Sequence, residues 1–383
     1  MTLRTRLGAL AALTATLLCV ATAAGAAPAR PAAEPQPKAA SVAVPAGVTA
    51  GVAVFDRRTG TFTEQLNTGM QFRSASVVKL LLALDFLWNR GPDYSIPAAD
   101  RTRLDAMLRS SNDDAASHYW SANGGSAIIG RMVTRLGLSD TAPPPASHPG
   151  YWGYTALSAR DTVTIYRYLL DSAPAPVRDY IMGNLRQSTR CASDSFDQHF
   201  GIAGAFEKPW AVKQGWSGQY APGTCGPSSS AEKSAVSVRQ AAADADLSRP
   251  ALHTTGTVGA GDRSIVAVLT LHPMGTTYGK AYTDIGRLTR SLTVPGGVRP
   301  AGKWYGTWGS DVNVRADSTS SSKVLTRLPA GVEVLVDCQK RGDVVSVPPY
   351  TNEWWAHLPQ YGGYMTNIYV NSPDNKLPDV PDC

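Results

Sequence analysis

Ser76 and Lys79 stand three residues apart in the run Ser76-Val77-Val78-Lys79. In a helix that spacing puts both on one face. A serine hydroxyl is a weak nucleophile until a base takes its proton. A lysine removed from water gives up its charge more readily than an exposed one and can be that base. The chemistry on offer is attack by Ser76 on an amide or ester carbonyl, with Lys79 taking the proton. At a helix start, free N–H groups and partial positive charge would also favour an oxyanion. An ordinary serine cap followed by a lysine has the same spacing, so the pair needs company.

Two further constellations follow in order. Ser110-Ser111-Asn112 closes a helical stretch. The Ser110 hydroxyl there can relay a proton to a leaving group, and the Asn112 amide can hold a substrate amide and Lys79. Serine and asparagine also favour caps and turns. Lys213-Gln214-Gly215, just before Trp216, lies in a β-prone stretch. Lys213 supplies positive charge for a substrate carboxylate, and Gly215 lets a substrate backbone lie close to the strand. Each constellation is common alone. Their conjunction on a helix start, a helical-region loop and a strand points to catalysis.

The elements that must carry these residues read as follows. Val48–Phe55 and Thr61–Gln65 flank the turn Asp56–Gly60 as two strands. Val77–Trp88 is apolar apart from Lys79 and Asp85, as a buried helix would be. Arg103–Leu108, Ala127–Leu136 and Ser158–Leu170 place apolar residues at helical spacing, with His118-Tyr119-Trp120 as helix packing. The prolines and glycines of Thr141–Tyr154 predict an irregular loop. Ala211–Lys213, Ala235–Val238, Ala251–Val258 and Ser264–Leu271 read as strands, Gly259–Arg263 as a tight connection, and Tyr278–Leu292 as a closing helix. This order predicts an α+β fold, an antiparallel sheet carrying helices and a helical subdomain. Beyond it, residues 303–383 are rich in Val, Trp, Tyr and turn residues and predict a small all-β barrel.

The whole chain bounds the setting. Met1–Arg6 carries two arginines, Leu7–Val20 is almost wholly apolar, and small residues follow with Ala24-Gly25-Ala26 at an expected cleavage site. That is the layout of a secretory signal peptide over residues 1–27. Its core of 14 residues is short of the ~20 that a spanning helix needs, so no membrane anchor is expected. Leu18 stands before Cys19, where lipidation wants a small residue. Residues 28–45, rich in Ala and Pro, read as a linker. The mature chain of about 355 residues suggests two domains, 46–293 and 303–383, with 294–302 between them. Without Arg4 and Arg6 the formal charge of +6 falls to +4. With no Lys/Arg-rich run, nucleic acid is not an expected partner. Four cysteines remain, and in an exported protein they predict disulfides. Of three pairings, Cys191–Cys225 with Cys338–Cys383 keeps each pair inside one expected domain. No Cys/His cluster has zinc spacing, and no cofactor or metal is expected.

The three constellations resemble the S-x-x-K, S-x-N and K-T-G motifs of the class A β-lactamase and penicillin-binding superfamily, over about Val48–Thr293. The resemblance looks closest to secreted actinobacterial serine hydrolases of that type. It implies a β-lactamase/transpeptidase-like fold, with Ser76 acylated, Lys79 its base, Ser110 the relay and Asn112 positioning substrate. It also implies Lys213 on the substrate carboxylate and an oxyanion hole of the Ser76 and Trp216 backbone N–H groups. Three departures matter. Gln214 replaces the usual Thr or Ser and offers a longer amide donor. Only 34 positions separate Ser76 from Ser110, so the helical subdomain is trimmed. No glutamate lies between Glu64 and Glu207, whereas class A enzymes use one to activate the deacylating water. The corresponding loop, Thr141–Tyr154, offers only His148, and a loop histidine is more often solvated than catalytic.

Acylation is therefore expected and rapid β-lactam turnover is not. The expected activity is a secreted serine hydrolase acting on amide or ester bonds. It would be D-alanyl-D-alanine peptidase-like or β-lactam-interacting, with a peptidoglycan peptide or β-lactam as substrate class. The alternatives are a class A-type β-lactamase and a non-catalytic cell-wall-binding protein that keeps the fold. Residues 303–383 resemble bacterial SH3-like modules through Asp311-Val312-Asn313-Val314-Arg315, Trp354-Trp355-Ala356-His357-Leu358 and Gly362-Gly363-Tyr364-Met365-Thr366-Asn367. Such modules imply cell-wall attachment, with Trp304, Trp308, Trp354 and Tyr364 as a stacking surface and Trp355 in the core.

Overall fold

Alternate residues of one strand enter two different cores, and this splits the molecule into layers. In β1 (Thr49–Asp56), Ala53 and Phe55 join one apolar cluster while Ala50, Val52 and Val54 join another. The pleat sends successive side chains to opposite faces. The same division recurs in β7 (Ser264–Leu271), with Ile265, Ala267, Leu269 and Leu271 on one side and Val266 and Val268 on the other. A sheet covered on both faces reads as continuous apolar runs, which is why these strands stand out in the sequence.

The computed structural model describes residues 42–218, 225 and 245–383. The expected signal peptide 1–27, the expected linker as far as residue 41, and the expected strand 235–238 lie outside the described residues. The central sheet adds β2 (Thr61–Leu66), β5 (Trp210–Ser217) and β6 (Ala251–Val258) in the order β2-β1-β7-β6-β5, all antiparallel. A two-stranded ribbon pairs β3 (Phe72–Arg73) with β4 (Ala156–Leu157). The architecture is α+β, as the element order predicts.

One face of the sheet carries α1 (Lys79–Trp88), α2 (Ala98–Arg109), α3 (Asp113–Ala122), α4 (Ser126–Leu136), α5 (Ala159–Arg167) and α6 (Ala175–Arg186). Leu80–Leu84 and Leu87 of α1 are all buried, as befits a helix enclosed on every side. The other face carries the short α7 (Ile202–Ala205) and α8 (Tyr278–Ser291). Among the described residues no helix is long and apolar enough to cross a membrane.

The C-terminal strands are β8 (Lys303–Gly306), β9 (Val312–Arg315), β10 (Val324–Leu328), β11 (Glu333–Val336), β12 (Cys338–Val347), β13 (Tyr350–Leu358) and β14 (Gly363–Thr366). They form a five-stranded sheet, β10-β9-β14-β13-β12, and a separate ribbon of β11 with β8. The expected barrel is therefore corrected: among the described residues no ladder joins the ribbon to the sheet, so the strands do not close on themselves. Trp355 fills its core as expected.

These strands share the second apolar cluster with α8. Val312, Val314, Val332, Val334 and Val336 belong to the same cluster as Tyr278, Ile285 and Leu288. The contact side of α8 is the stripe Gly279, Thr283, Arg287, Arg290, at helical spacing. A Cβ on Gly279 would strike the Ala330 carbonyl. The Thr283 hydroxyl donates to Gly331 O at 3.2 Å and accepts the Glu333 N–H at 2.9 Å. Arg287 and Arg290 both pair with Glu333. The segment between the expected domains is packed too: the Glu207 N–H donates to Val298 O at 2.8 Å and the Ser264 hydroxyl to Pro295 O at 2.7 Å. Cys191–Cys225 and Cys338–Cys383 are both disulfides, with Cα atoms 5.3 and 5.0 Å apart.

Candidate active site

Ser76 lies in a 3-10 turn, Ala75–Val78, that runs straight into α1. Ala75 adopts φ 45°, a left-handed conformation that costs a non-glycine residue about 1 kcal/mol or more. The surroundings hold it there. The Ser74 N–H donates to Thr155 O at 2.8 Å, and the Val77 N–H to Ser74 O at 3.0 Å. One residue earlier, His253 Nε2–H donates to Arg73 O at 2.8 Å, while its Nδ1 accepts the Thr270 N–H at 3.1 Å. Acceptance at Nδ1 requires the neutral ring, and burial holds its pKa down at about 4.

Lys79 Nζ is 2.9 Å from Ser76 Oγ, and the lysine side chain is wholly buried. Three other atoms surround the amine: Ser111 O at 2.5 Å, Ser111 Oγ at 3.2 Å and Asp113 Oδ1 at 2.5 Å. The Trp152 ring lies over it, 4.8 Å from Nζ to the centroid. Burial pulls the Lys79 pKa below the ordinary lysine value against the opposing pull of Asp113. Lys213 comes from β5 and meets the same hydroxyl, with Nζ 2.8 Å from Ser111 Oγ. Burial, and then the charge of Lys79, hold Lys213 well below the ordinary value. Ser111 thus bridges two buried lysines, one of which touches the nucleophile.

The middle motif is displaced by one residue from its expected place. Ser110 is not at Lys79: its hydroxyl donates to Ala106 O and pairs with Ser193 Oγ, both at 2.9 Å. Asn112 is not there either, because its side-chain oxygen caps α3 by accepting the Ala115 N–H at 2.8 Å. Ser111 has φ 57°, which turns its side chain inward between the other two. Asp113 follows the cap and reaches Lys79. A signal existed in the sequence: Asn112-Asp113-Asp114 before Ala115-Ala116 has the pattern of an N-cap and an acidic first turn. With Asn112 committed to the cap, its neighbours Ser111 and Asp113 are left for the site.

The strand motif divides by the pleat. Lys213 and Gly215 share the face of Ala211, toward the helices. Gln214 and Trp216 share the opposite face with Val212. Gln214 is therefore not a substrate-side group: its amide donates to Phe200 O at 2.7 Å. Gly215 also has a different partner from the one expected. A Cβ there would come within 3.0 Å of Ser74 O and 3.1 Å of Val77, so the glycine lets the nucleophile turn itself lie against β5. Trp216 stacks on Phe196 at 4.7 Å between centroids, and its Nε1–H donates to Asp194 Oδ2 at 3.1 Å. His148 makes its contacts within its own loop, with Ser147, Tyr151 and Tyr154 among the described residues.

Farther off, the expected stacking aromatics are half-buried and have partners within the chain. Arg290 lies on Trp304, Arg341 and Lys376 flank Trp354, Lys340 lies on Tyr364, and Trp308 packs with Tyr350 and Tyr369. Asp337, Cys338 and His357 bring metal-ligand types together. The Cys338 sulfur is committed to its disulfide, and Asp337 to His357 at 2.8 Å.

The molecule is thus an α+β protein with a buried Ser–Lys pair at the edge of a central antiparallel sheet. The curated proteins it resembles are named "Putative lipoprotein LppW", from Mycobacterium tuberculosis and Mycobacterium bovis. They are 40% identical over 175 residues, 44% of this chain and 54% of theirs. The chain spans about half the length of the curated relatives it matches. No family model matches it. Similar solved structures include PBP-A as an acyl-enzyme complex with penicillin G, with 15% identity, 64% of this chain, 89% of that chain and TM-score 0.45. They also include a class A β-lactamase from Mycobacterium abscessus, with 18% identity, 64% of this chain, 92% of that chain and TM-score 0.44.

Proposed function

We propose that this chain is a serine hydrolase of the β-lactamase/penicillin-binding type, forming an acyl-enzyme on Ser76. The observation that carries the reading is the fully buried Lys79 amine 2.9 Å from Ser76 Oγ. As a neutral amine, Lys79 takes the Ser76 proton while Oγ bonds to the carbonyl carbon. The backbone N–H groups of Ser76 and Trp216 receive the oxyanion. Collapse breaks the bond to the leaving group, and the proton returns from Lys79 through Ser111. Lys213 holds a carboxylate on the departing half. Water then hydrolyses the ester.

That last step is slow. The Trp152 ring lies over the Lys79 amine, and no glutamate is available from residues 65–206 to activate a water. A D-alanyl-D-alanine peptidase-like or other amide/ester hydrolase therefore fits better than an efficient β-lactamase. Export follows from the layout of residues 1–27 and agrees with the lipoprotein name its relatives carry. We assign residues 303–383 the task of covering α8 rather than wall attachment, because their strands share its apolar cluster.

The test is intact-mass spectrometry after incubation with a penicillin, with Ser76→Ala as control. A persistent adduct on the wild type alone is expected. No adduct, with the drug left intact, would remove penicillin recognition from the reading.

A further inference from the structure

Asp113 does something that acylation by itself does not require. Its carboxylate touches the buried Lys79 amine, yet its side chain is 66% exposed. As an ammonium, Lys79 has three N–H bonds, for which Ser111 O, Asp113 Oδ1 and Ser76 Oγ are the nearest acceptors. A carbonyl and a carboxylate only accept. The third N–H then points at Ser76 Oγ, and the serine keeps its proton. As a neutral amine, Lys79 keeps two N–H bonds on the carbonyl and the carboxylate, and its lone pair faces Ser76. The same atomic positions serve both states, so nearby charge decides which is held.

The charged groups that act on this amine are Asp113 from α3, Asp194 beside Trp216, and Lys213 from β5. The two acids hold the ammonium; burial works against it. Of the two acids, Asp113 is the one in contact. Lys213 lies on the other side of Ser111 and, among the described residues, is paired with no carboxylate. The site therefore has an acid, Asp113, on one side of the Lys79–Ser111 contact and Lys213 on the other, where a bound anion would favour the Lys213 ammonium against its burial.

We propose that Asp113 makes the site selective for acyl donors that carry a positive charge beside the scissile carbonyl. The inference rests on the reading of Ser76 as the nucleophile. A cation paired with the outward oxygen of Asp113 offsets the charge that keeps Lys79 protonated. Lys79 then releases a proton to water and accepts the next from Ser76 as the Ser76–acyl bond forms. The carbonyl–leaving-group bond breaks, and that proton follows the leaving oxygen or nitrogen through Ser111. An acyl group ending in a carboxylate meets like charge at Asp113 and leaves Lys79 an ammonium. With Lys213 receiving an anion on the departing half, the preferred substrate is zwitterionic, positive on the acyl side and negative on the leaving side.

The p-nitrophenyl esters of β-alanine, butyric acid and succinic acid offer cationic, neutral and anionic acyl groups of matched length. kcat/KM is measured for each with wild type, Asp113→Asn and Asp113→Glu, after subtraction of uncatalysed hydrolysis. The wild type is expected to prefer β-alanyl over succinyl by on the order of tenfold at low salt, and by less at high salt. Asp113→Asn brings the three esters within about threefold of one another, and Asp113→Glu keeps the order. Ratios within one protein do not depend on how much of it is folded. No charge preference in the wild type, or a preference that persists in Asp113→Asn, overturns the inference. A fluorophosphonate label on Ser76 separates the two readings. Labelling without charge preference leaves the hydrolase standing and removes the selectivity. No labelling of wild type or Asp113→Asn removes both.

Discussion

Two groups of buried charge sit on opposite sides of the central sheet, and they are built differently. On the helical side Lys79 and Lys213 are wholly buried, while Asp113, the carboxylate that touches Lys79, is largely in water. Behind the sheet, Glu333 is 11% exposed and lies between Arg287 and Arg290. Asp197 there is likewise enclosed, at 11% exposed, and pairs with Arg190, which lies on Tyr361. There the acid is the enclosed member, held by arginines of which Arg287 is 60% exposed, so no carboxylate is offered to a ligand. The open, helical side leaves its acid where a ligand can compete for it. The difference separates charge that holds elements together from charge that can change state during a reaction.

The sharpest way to break this comparison is to remove the hydroxyl between the two lysines. Ser111→Ala is expected to lower the rate of Ser76 acylation by roughly 10²–10⁴-fold, the range of a lost proton relay. Ser110→Ala should change it little, since that hydroxyl is engaged with Ala106 and Ser193. Equal losses in the two variants, followed by penicillin adduct formation over time, would refute the placement of the relay at Ser111.

Next in size is a change on the closed side. Gly279→Ala places a methyl against the Ala330 backbone and is expected to cost about 3 kcal/mol of stability, the scale of an overpacked contact. Thermal unfolding measures that cost. The active-site titre per folded molecule should stay that of the wild type, and a falling titre would mean that the two sides are coupled.

The smallest effect concerns His253, on the open side. Its folded pKa of about 4 lies below the 6.5 of a free histidine, so the fold favours the neutral ring. Its contribution is complete above pH 6.5 and is lost as the pH falls toward 4. By pH 5 that loss is about 2 kcal/mol. The melting temperature of the wild type should therefore fall more steeply between pH 6.5 and 5 than that of His253→Gln. Parallel curves would show that His253 does not report the acid sensitivity of the nucleophile turn.

Much of this arrangement is legible in the sequence. β6 and β7 have the bounds their apolar runs predict, because both faces of the sheet are covered and Gly259–Arg263 punctuates them. The Ser76–Lys79 pair is legible because helical spacing alone brings the two together. The middle motif is not legible to the residue. Ser110 and Ser111 are chemically identical, and only the left-handed backbone at Ser111 decides which hydroxyl turns inward. The place of Gln214 is not legible for another reason: motif spacing suggests a shared role with Lys213, whereas the pleat sends neighbours apart. The C-terminal valines announce a buried strand face, but the pattern does not say that α8 is what covers it. Patterning reports that a surface is buried, and the partner comes from tertiary packing.

The stripe on α8 has a consequence for the order in which the chain takes shape. Gly279, Thr283, Arg287 and Arg290 emerge from synthesis before Val312–Val336, and three of the four are polar or charged. A helix with that outer surface can wait in water. The valines that later meet it cannot, since they leave an apolar face exposed until they dock. The half made first is thus a ready template, and the half made second carries the hazard of aggregation only for as long as docking takes.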